Sequence, residues 1–227
     1  MLKDRPDDVE VLGLKAWYEQ LRGRPAEAAT AYRRILAQSP GSRIASQLAQ
    51  ALWQAGDRAG AIRTLEQWTA GHPEDSLGRY LLAGLYQSEQ RHDDAGRQLQ
   101  RVLEISPHNV MAMDDLACLL RKSEPRRALE LAERAARKDP ASPALLDTLA
   151  AVLLDQGQTG RAAEALRRAV AIDPGNPSLK FRLALDESGR TRDSLDSVKA
   201  LLSDDPTFPE RKEAQELLKS VTAQAGG

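Results

Sequence analysis

The chain has 227 residues, with 32 Lys and Arg against 33 Asp and Glu and a net charge of -1. That balance argues against nucleic acid as the main partner, because phosphate binding calls for a basic surface. Charged residues make up 29% and aromatics only 4%, with Ala and Leu dominant, a composition expected of a mostly helical soluble protein.

No apolar run approaches the roughly 18 residues of a membrane-crossing helix, so none is expected. The opening MLKDRPDDVE holds no apolar core of a signal peptide. Cys118 is the only cysteine, which excludes an intrachain disulfide. Residues 1–8, with Leu2 and Pro6, read as the end of a preceding helix, so the chain is expected to begin inside a longer array.

From there the chain is a ladder. Prolines stand at Pro6, Pro40, Pro73, Pro107, Pro140, Pro174 and Pro206, in steps of 34, 33, 34, 33, 34 and 32. Ala16, Ala49, Ala83, Ala117, Ala150 and Ala184 keep the same step, and so do Ala28, Ala61, Ala95, Ala128 and Ala162, with Ser194 in the sixth place. Periods of this size indicate stacked helix pairs. The alanines are expected where helices cross closely, and the prolines where each second helix stops. Asp8, Ser42, Asp75, Asn109, Ser142 and Asn176 follow most prolines by two residues and are predicted N-caps, each worth roughly 1 kcal/mol.

Each unit pairs two apolar stripes. In Pro143–Asn176, Leu146, Leu149, Ala150 and Leu153 form the first, Gly157 breaks it, and Ala162, Ala165, Leu166 and Ala169 form the second. Neither stripe can bury itself alone. With its Leu-Ala pairs (Leu48-Ala49, Leu82-Ala83, Leu116-Ala117, Leu149-Ala150, Leu183-Ala184), second-helix alanines and closing prolines, the chain resembles the tetratricopeptide repeat family. The resemblance implies an all-α fold, a right-handed superhelical solenoid of antiparallel helix pairs.

In chain order the predicted repeats are 9–41, 42–75, 76–109, 110–142, 143–176 and a degenerate 177–208, then a capping helix over 209–222 and a disordered tail over 223–227. Repeat 4 has one residue fewer between Ala117 and Ala128 than its neighbours, so its turn, Lys122–Pro125, is expected to be shorter; repeat 6 is two shorter between Ala184 and Ser194. Trp68 is expected in the core. His72, His92 and His108 are expected in turns, none at metal-ligand spacing with Cys or Glu. No catalytic nucleophile, phosphate loop or carboxylate pair emerges, so no enzyme activity, metal or cofactor is expected.

The family's first helices line a concave groove, which the resemblance places at Trp17, Gln20, Gln47, Gln50, Trp53, Tyr80, Gln87, Ser88, Met111, Asp114, Cys118, Arg121, Asp147, Ala151, Leu154, Asp155, Phe181 and Leu185. Trp17, Trp53 and Tyr80 form a candidate anchor strip for a peptide. Asp114, Asp115, Asp147 and Asp155 form a candidate acidic patch. Chaperone-binding members clamp a C-terminal carboxylate with Lys and Asn at fixed positions; those positions hold Gly13 with Trp17, Ser46 with Gln50, Tyr80 with Gly84, and Asp114 with Cys118 here, which disfavours that mode.

A narrower likeness lies in HNVMAMDDLACLL, RRALELAERA, LLDTLAAVLLDQG and FPERKEAQELL, which resemble the C-terminal repeats of PEP-CTERM/exosortase-associated tetratricopeptide proteins of the PrsT type. Cys118, where an aromatic is common, and Asp114-Asp115, where asparagines are common, depart from that pattern. The likeness implies a bacterial exopolysaccharide assembly, with a periplasmic or envelope-associated location if the chain is cut from a longer lipoprotein, and a cytoplasmic one otherwise.

The leading reading is a non-enzymatic scaffold that binds a partner protein or peptide in the groove. The alternatives are a glycan-binding module, with polysaccharide stacked on the aromatic strip, and the regulatory segment of a larger enzyme. An RNA-binding reading fails on charge and lacks a repeated base-reading pair.

Overall fold

The structure is a computed structural model that describes residues 8–186, 192–204 and 209–225. Among these residues there are 13 helices and no strand: α1 (Val9–Leu21), α2 (Pro25–Gln38), α3 (Ser42–Gln54), α4 (Arg58–Gly71), α5 (Ser76–Ser88), α6 (His92–Ile105), α7 (Val110–Leu120), α8 (Pro125–Lys138), α9 (Pro143–Asp155), α10 (Thr159–Ile172), α11 (Pro177–Asp186), α12 (Arg192–Asp204) and α13 (Arg211–Ala225). The chain divides into two compact units, Met1–Ala112 and Met113–Gly227. In the first, α1 packs on α2, α2 on α3, α3 on α4, α4 on α5 and α5 on α6. In the second, α8 packs on α9, α9 on α10, α10 on α11, α11 on α12 and α12 on α13.

The alanine ladders are the crossing points. Ala16, Ala49, Ala83, Ala117, Ala150 and Ala184 are all buried on the first helices of their pairs, as are Ala28, Ala61, Ala95, Ala128 and Ala162 on the second. A larger side chain there would push two backbones apart and open the packing around it. In the second unit, Leu146, Ala150, Leu153, Ala162, Ala165, Leu166 and Ala169 form one cluster, with Leu149 packed against it. The side chain of Ser194 and the residues Leu2, Pro6 and Pro206 lie outside the described set.

Side chains start most of the first helices as the spacing predicts. Asp8 accepts from the Glu10 amide, Asn109 from Ala112, Ser142 from Leu145, and Asn176 from Ser178 and Leu179. Ser42 is the exception. Gly41 occupies the N-cap of α3, Ser42 is its first helical residue, and no side chain caps that end. Pro25, Pro125 and Pro143 open their helices, where a missing N–H costs nothing.

Within three pairs the helices are joined by three-residue turns carrying a glycine in the left-handed region: Gly23 (φ 67°), Gly56 (φ 86°) and Gly157 (φ 70°). The α5–α6 turn places Gln90 there instead, at φ 59°. Repeat 4 differs from its predicted form. Its linker is four residues, 121–124, rather than shorter; α7 has 11 residues where α1, α3, α5 and α9 have 13, so the helix loses two residues, the linker gains one, and the repeat is one shorter. The Glu124 amide donates to the Leu120 carbonyl and closes this linker without a left-handed residue. The 187–191 turn of repeat 6 lies outside the described residues.

Three further expectations are corrected. Trp68 is half-buried, not core: its ring stacks on His72 at 3.7 Å and its indole N–H donates to Asp75 at 2.5 Å. His92 is the first residue of α6 rather than part of a turn. The last helix runs to Ala225, past the expected end at 222, because Ala223, Gln224 and Ala225 are good helix formers and the first breaker is Gly226.

Candidate functional site

In the first unit, α3 and α5 frame a pocket of about 460 Å³. The α3 wall carries Arg43, Gln47, Gln50, Trp53 and Gln54; the α5 wall carries Leu77, Leu81 and Leu85, with Leu65 of α4 behind them. The α5 residues recur every four positions and so share one helix face. Leu77 is 50% exposed at the rim. The cavity is therefore apolar inside, with glutamine amides and one guanidinium at its mouth.

The frame is rigid. Tyr86 is buried and donates its hydroxyl to Glu66 at 2.7 Å, which ties α5 to α4. Burial first and Glu66 second push its phenol up to about 12. The α4–α5 linker is held by Asp75, which caps Leu77 and Gly78 with one oxygen and receives the Trp68 indole on the other. Partial burial works to raise the Asp75 carboxyl, but the Ser42 hydroxyl, then the Trp68 indole and the two amides, bring it below its ordinary value. Gly78 leaves room for this contact: a Cβ would lie 3.1 Å from the Trp68 ring and 3.0 Å from the Asp75 carboxylate, so a neighbour would have to shift by a few tenths of an ångström. Arg58 lies over the Trp53 ring at 5.2 Å and pairs with Glu89 at 2.9 Å, so one face of that indole is already covered.

Of the predicted site residues, Gln47, Gln50 and Trp53 converge on this pocket. Tyr80 and Gln87 are half-buried on α5 and do not line it. Leu77, Leu81, Leu85, Arg43 and Gln54 were missed, although the four-residue spacing of the leucines was visible. Trp17 is 58% exposed on α1 and Met111 59% exposed on α7. Gln20 is engaged in packing, since its side-chain oxygen accepts the Tyr32 hydroxyl at 2.9 Å.

In the second unit the first-helix faces are polar. Asp114 and Cys118 of α7 both face Thr148 of α9, the thiol at 3.8 Å from its hydroxyl. Arg121 donates to Asp155 at 2.7 Å. Arg182 of α11 donates to Asp147 of α9 at 2.6 Å and lies 3.8 Å from Glu210, which accepts the Ser178 hydroxyl. The expected acidic patch is therefore not an open one: Asp155 and Asp147 each hold an arginine. Leu154 is 37% exposed beside them, and Ala151 is half-buried. Phe181, expected to face outward, is fully buried in a core with Ala184, Val198, Leu201 and Ala214, and Leu185 packs against that core. Phenylalanine at that position supplies the apolar area that seals α11 against α12 and α13.

Burial dominates the titrations. It raises the carboxyls of Asp114 and Asp147, and one oxygen of each is buried without a hydrogen bond. Arg182 partly offsets the rise at Asp147. Arg121 holds Asp155 below the usual carboxylate range. Cys118 is exposed as a residue, yet desolvation around its sulfur raises the thiol, and Asp114 adds to that; a raised thiol is a poor nucleophile. No cluster of three or more His, Cys, Asp or Glu able to hold a metal ion occurs among the described residues, and no described helix is long and apolar enough to cross a membrane. A second hollow of about 400 Å³, lined by Glu133, Arg137, Leu149, Arg161 and Arg168, is bridged by the Arg161–Glu133 pair at 2.6 Å.

Two family models, both described as tetratricopeptide repeat, match residues 21–85 and 143–186. No curated protein gives a significant sequence match. Among solved structures, a tetratricopeptide repeat protein from Parabacteroides merdae is 13% identical over 95% of this chain and 87% of its own, with a TM-score of 0.80. YrrB, described as a TPR protein with an unusual peptide-binding site, is 14% identical over 83% of this chain and 99% of its own, with a TM-score of 0.67. MamA from Desulfovibrio magneticus is 18% identical over 72% and 95%, with a TM-score of 0.65. At these identities the likeness establishes the fold.

Proposed function

Starting from a chain with the tetratricopeptide repeat fold, two segments of which match that family's models, we propose that it is a non-enzymatic protein-interaction scaffold whose binding site is the α3–α5 pocket. The observation that carries this reading is an apolar cavity of about 460 Å³ on the first-helix face, with Trp53, Leu77, Leu81 and Leu85 as walls. An apolar anchor from a partner peptide gains about 25 cal/mol for each Å² it buries there. Gln47, Gln50 and Gln54 at the mouth offer amide donors and acceptors to the peptide backbone on either side of the anchor. The Asp75–Trp68 and Tyr86–Glu66 bonds fix the walls before binding, which lowers the ordering cost.

A peptide-display selection against the full chain tests this. Enriched peptides are expected to carry a large aliphatic or aromatic anchor, and to lose at least tenfold in affinity on the Leu81→Asn and Trp53→Ala variants. Selected peptides that bind both variants as well as the native chain would remove the pocket from the reading.

The glycan alternative gains less from the pocket, since sugar stacking needs an open ring face and Arg58 already lies over one face of Trp53. An exopolysaccharide-linked setting is supported only by the sequence likeness of repeats 4 to 6. Detecting this chain among proteins cross-linked to an exosortase or export complex would test it; consistent absence would count against it.

A further inference from the structure

We propose that Arg43 makes the α3–α5 pocket specific for an acidic peptide: an extended segment with an Asp or Glu side chain about four residues from its apolar anchor. This rests on the peptide-binding reading above and adds to it the charge that accompanies the anchor, and the distance between them.

Arg43 carries the one charge among the residues that line the pocket. It is exposed, and no carboxylate among the described residues pairs with it. Other arginines on comparable faces are already held. Arg58, over Trp53, pairs with Glu89, and Arg121 and Arg182 of the second unit pair with Asp155 and Asp147. Asp75, on the linker into α5, is engaged by the Leu77 and Gly78 amides and the Trp68 indole. Arg43 also stands in the first turn of α3, whose N-cap Gly41 has no side chain to offer, so the positive end of the helix dipole adds to the guanidinium. That end of the pocket therefore attracts an anion that the chain itself does not supply.

The spacing follows from the helices. Leu77 stands one 34-residue period beyond Arg43, so the pocket runs from an Arg43–Leu77 end to a Trp53–Leu85 end. Arg43 and Trp53 are ten residues apart on α3, about 15 Å along its axis. An extended chain covers that length in about four or five residues, and side chains an even number apart share a face. An acid at Arg43 and an anchor four positions away, between Trp53 and Leu85, then point into the pocket together. A helical ligand bonds its own backbone, whereas the amides of Gln47, Gln50 and Gln54 suit a chain whose backbone groups are unpaired. Those amides continue along the wall, so the main chain passes through and the carboxylate comes from a side chain.

The test is a display selection of linear random peptides against the full native chain and against Arg43→Glu, with circular dichroism confirming the helicity of each variant. Native selections are expected to enrich Asp or Glu four or five positions from a large apolar residue. Arg43→Glu selections should keep the anchor and replace the acid with Lys or Arg. For one enriched peptide, Arg43→Gln should weaken binding about fivefold at low salt, mainly through a slower association rate, with the difference shrinking as salt rises. Amidating the peptide's C-terminus should change nothing; a loss on amidation would move the carboxylate to the chain's end and overturn the assignment. Enriched peptides that need Trp53 and Leu81 but show no acidic preference, or the same preference on Arg43→Glu, would overturn this inference and leave the pocket reading standing. Peptides indifferent to Trp53→Ala and Leu81→Asn, or no enrichment at all, would remove both.

Discussion

Arg121 Nε donates to Asp155 Oδ2 at 2.7 Å across a sequence separation of 34 residues, one full period of the ladder. The pair joins the C-terminal ends of two successive first helices, α7 and α9. Both partners are part-exposed, at 33% and 22% of their side chains, so the bond contributes modestly, about 0.5 kcal/mol. Its signature is titration. Asp155 is held below its ordinary value, so its contribution is present above the unfolded carboxyl pKa and is lost as pH falls through the folded value. Arg121→Ala should return Asp155 to the ordinary range in a carboxylate NMR titration; an unmoved titration would show that Arg121 is not the cause.

Asp114 runs the other way. Burial raises its carboxyl, so the folded state favours the protonated form and stability from this group is lost as pH rises through the raised folded value. Asp114→Asn should stabilise the chain at neutral pH by about 1 kcal/mol, because one buried oxygen is left without a partner in the native carboxylate. The gain should shrink toward acid pH. Urea unfolding at two pH values reads this directly, and a variant less stable than the native chain at neutral pH would contradict the argument.

The Asp75–Trp68 bond couples the end of α4 to the start of α5. Asp75→Ala removes an N-cap and orphans an indole N–H, at a cost of about 2 kcal/mol. Trp68→Phe should cost less, since it removes the donor with the acceptor's cap role intact. In a double-mutant cycle the two changes should be less than additive. Strict additivity would mean that the short indole contact contributes nothing.

Gln90 occupies the left-handed position that Gly23, Gly56 and Gly157 fill in the other three-residue turns. A side chain there costs about 1 kcal/mol. Gln90→Gly should therefore raise the thermal midpoint, and Gly157→Ala should lower it by a similar free energy. The same sign from both substitutions would show that backbone strain does not govern these turns.

The periodic part of this molecule was legible in its sequence. Alanine at a fixed step has one physical use, close helix crossing, and every described ladder alanine is buried. The starts of most first helices followed from Asp, Asn or Ser, with Ser42 the exception. The site was legible only in part. Gln47, Gln50 and Trp53 were placed by register, but Leu77, Leu81 and Leu85 were not singled out, because a buried leucine and a pocket-lining leucine have the same spacing. Phe181 was misplaced for the converse reason: register points a position outward, while α13 supplies a cover that no period announces. Arg182 beside Asp147 was invisible because ion pairs between repeats depend on rotamers, not on a repeat pattern.

The early end of α7 bears on how such arrays diversify. Its counterparts α1, α3, α5 and α9 keep their twelfth residue (Gln20, Trp53, Gln87, Leu154) within the helix, whereas Arg121, at the same count, follows the last turn. The shorter spacing in this repeat thus sets one side chain at a helix terminus rather than on the helix surface, where a cation is favoured and can reach across to the next rung. Substitution alters what a rung displays; helix length alters where the display is aimed. In a ladder built from near-identical steps, length variation in the first helix is a separate source of individuality, and a chimera that exchanges α7 for a 13-residue version would exchange the aim of position 121 with it.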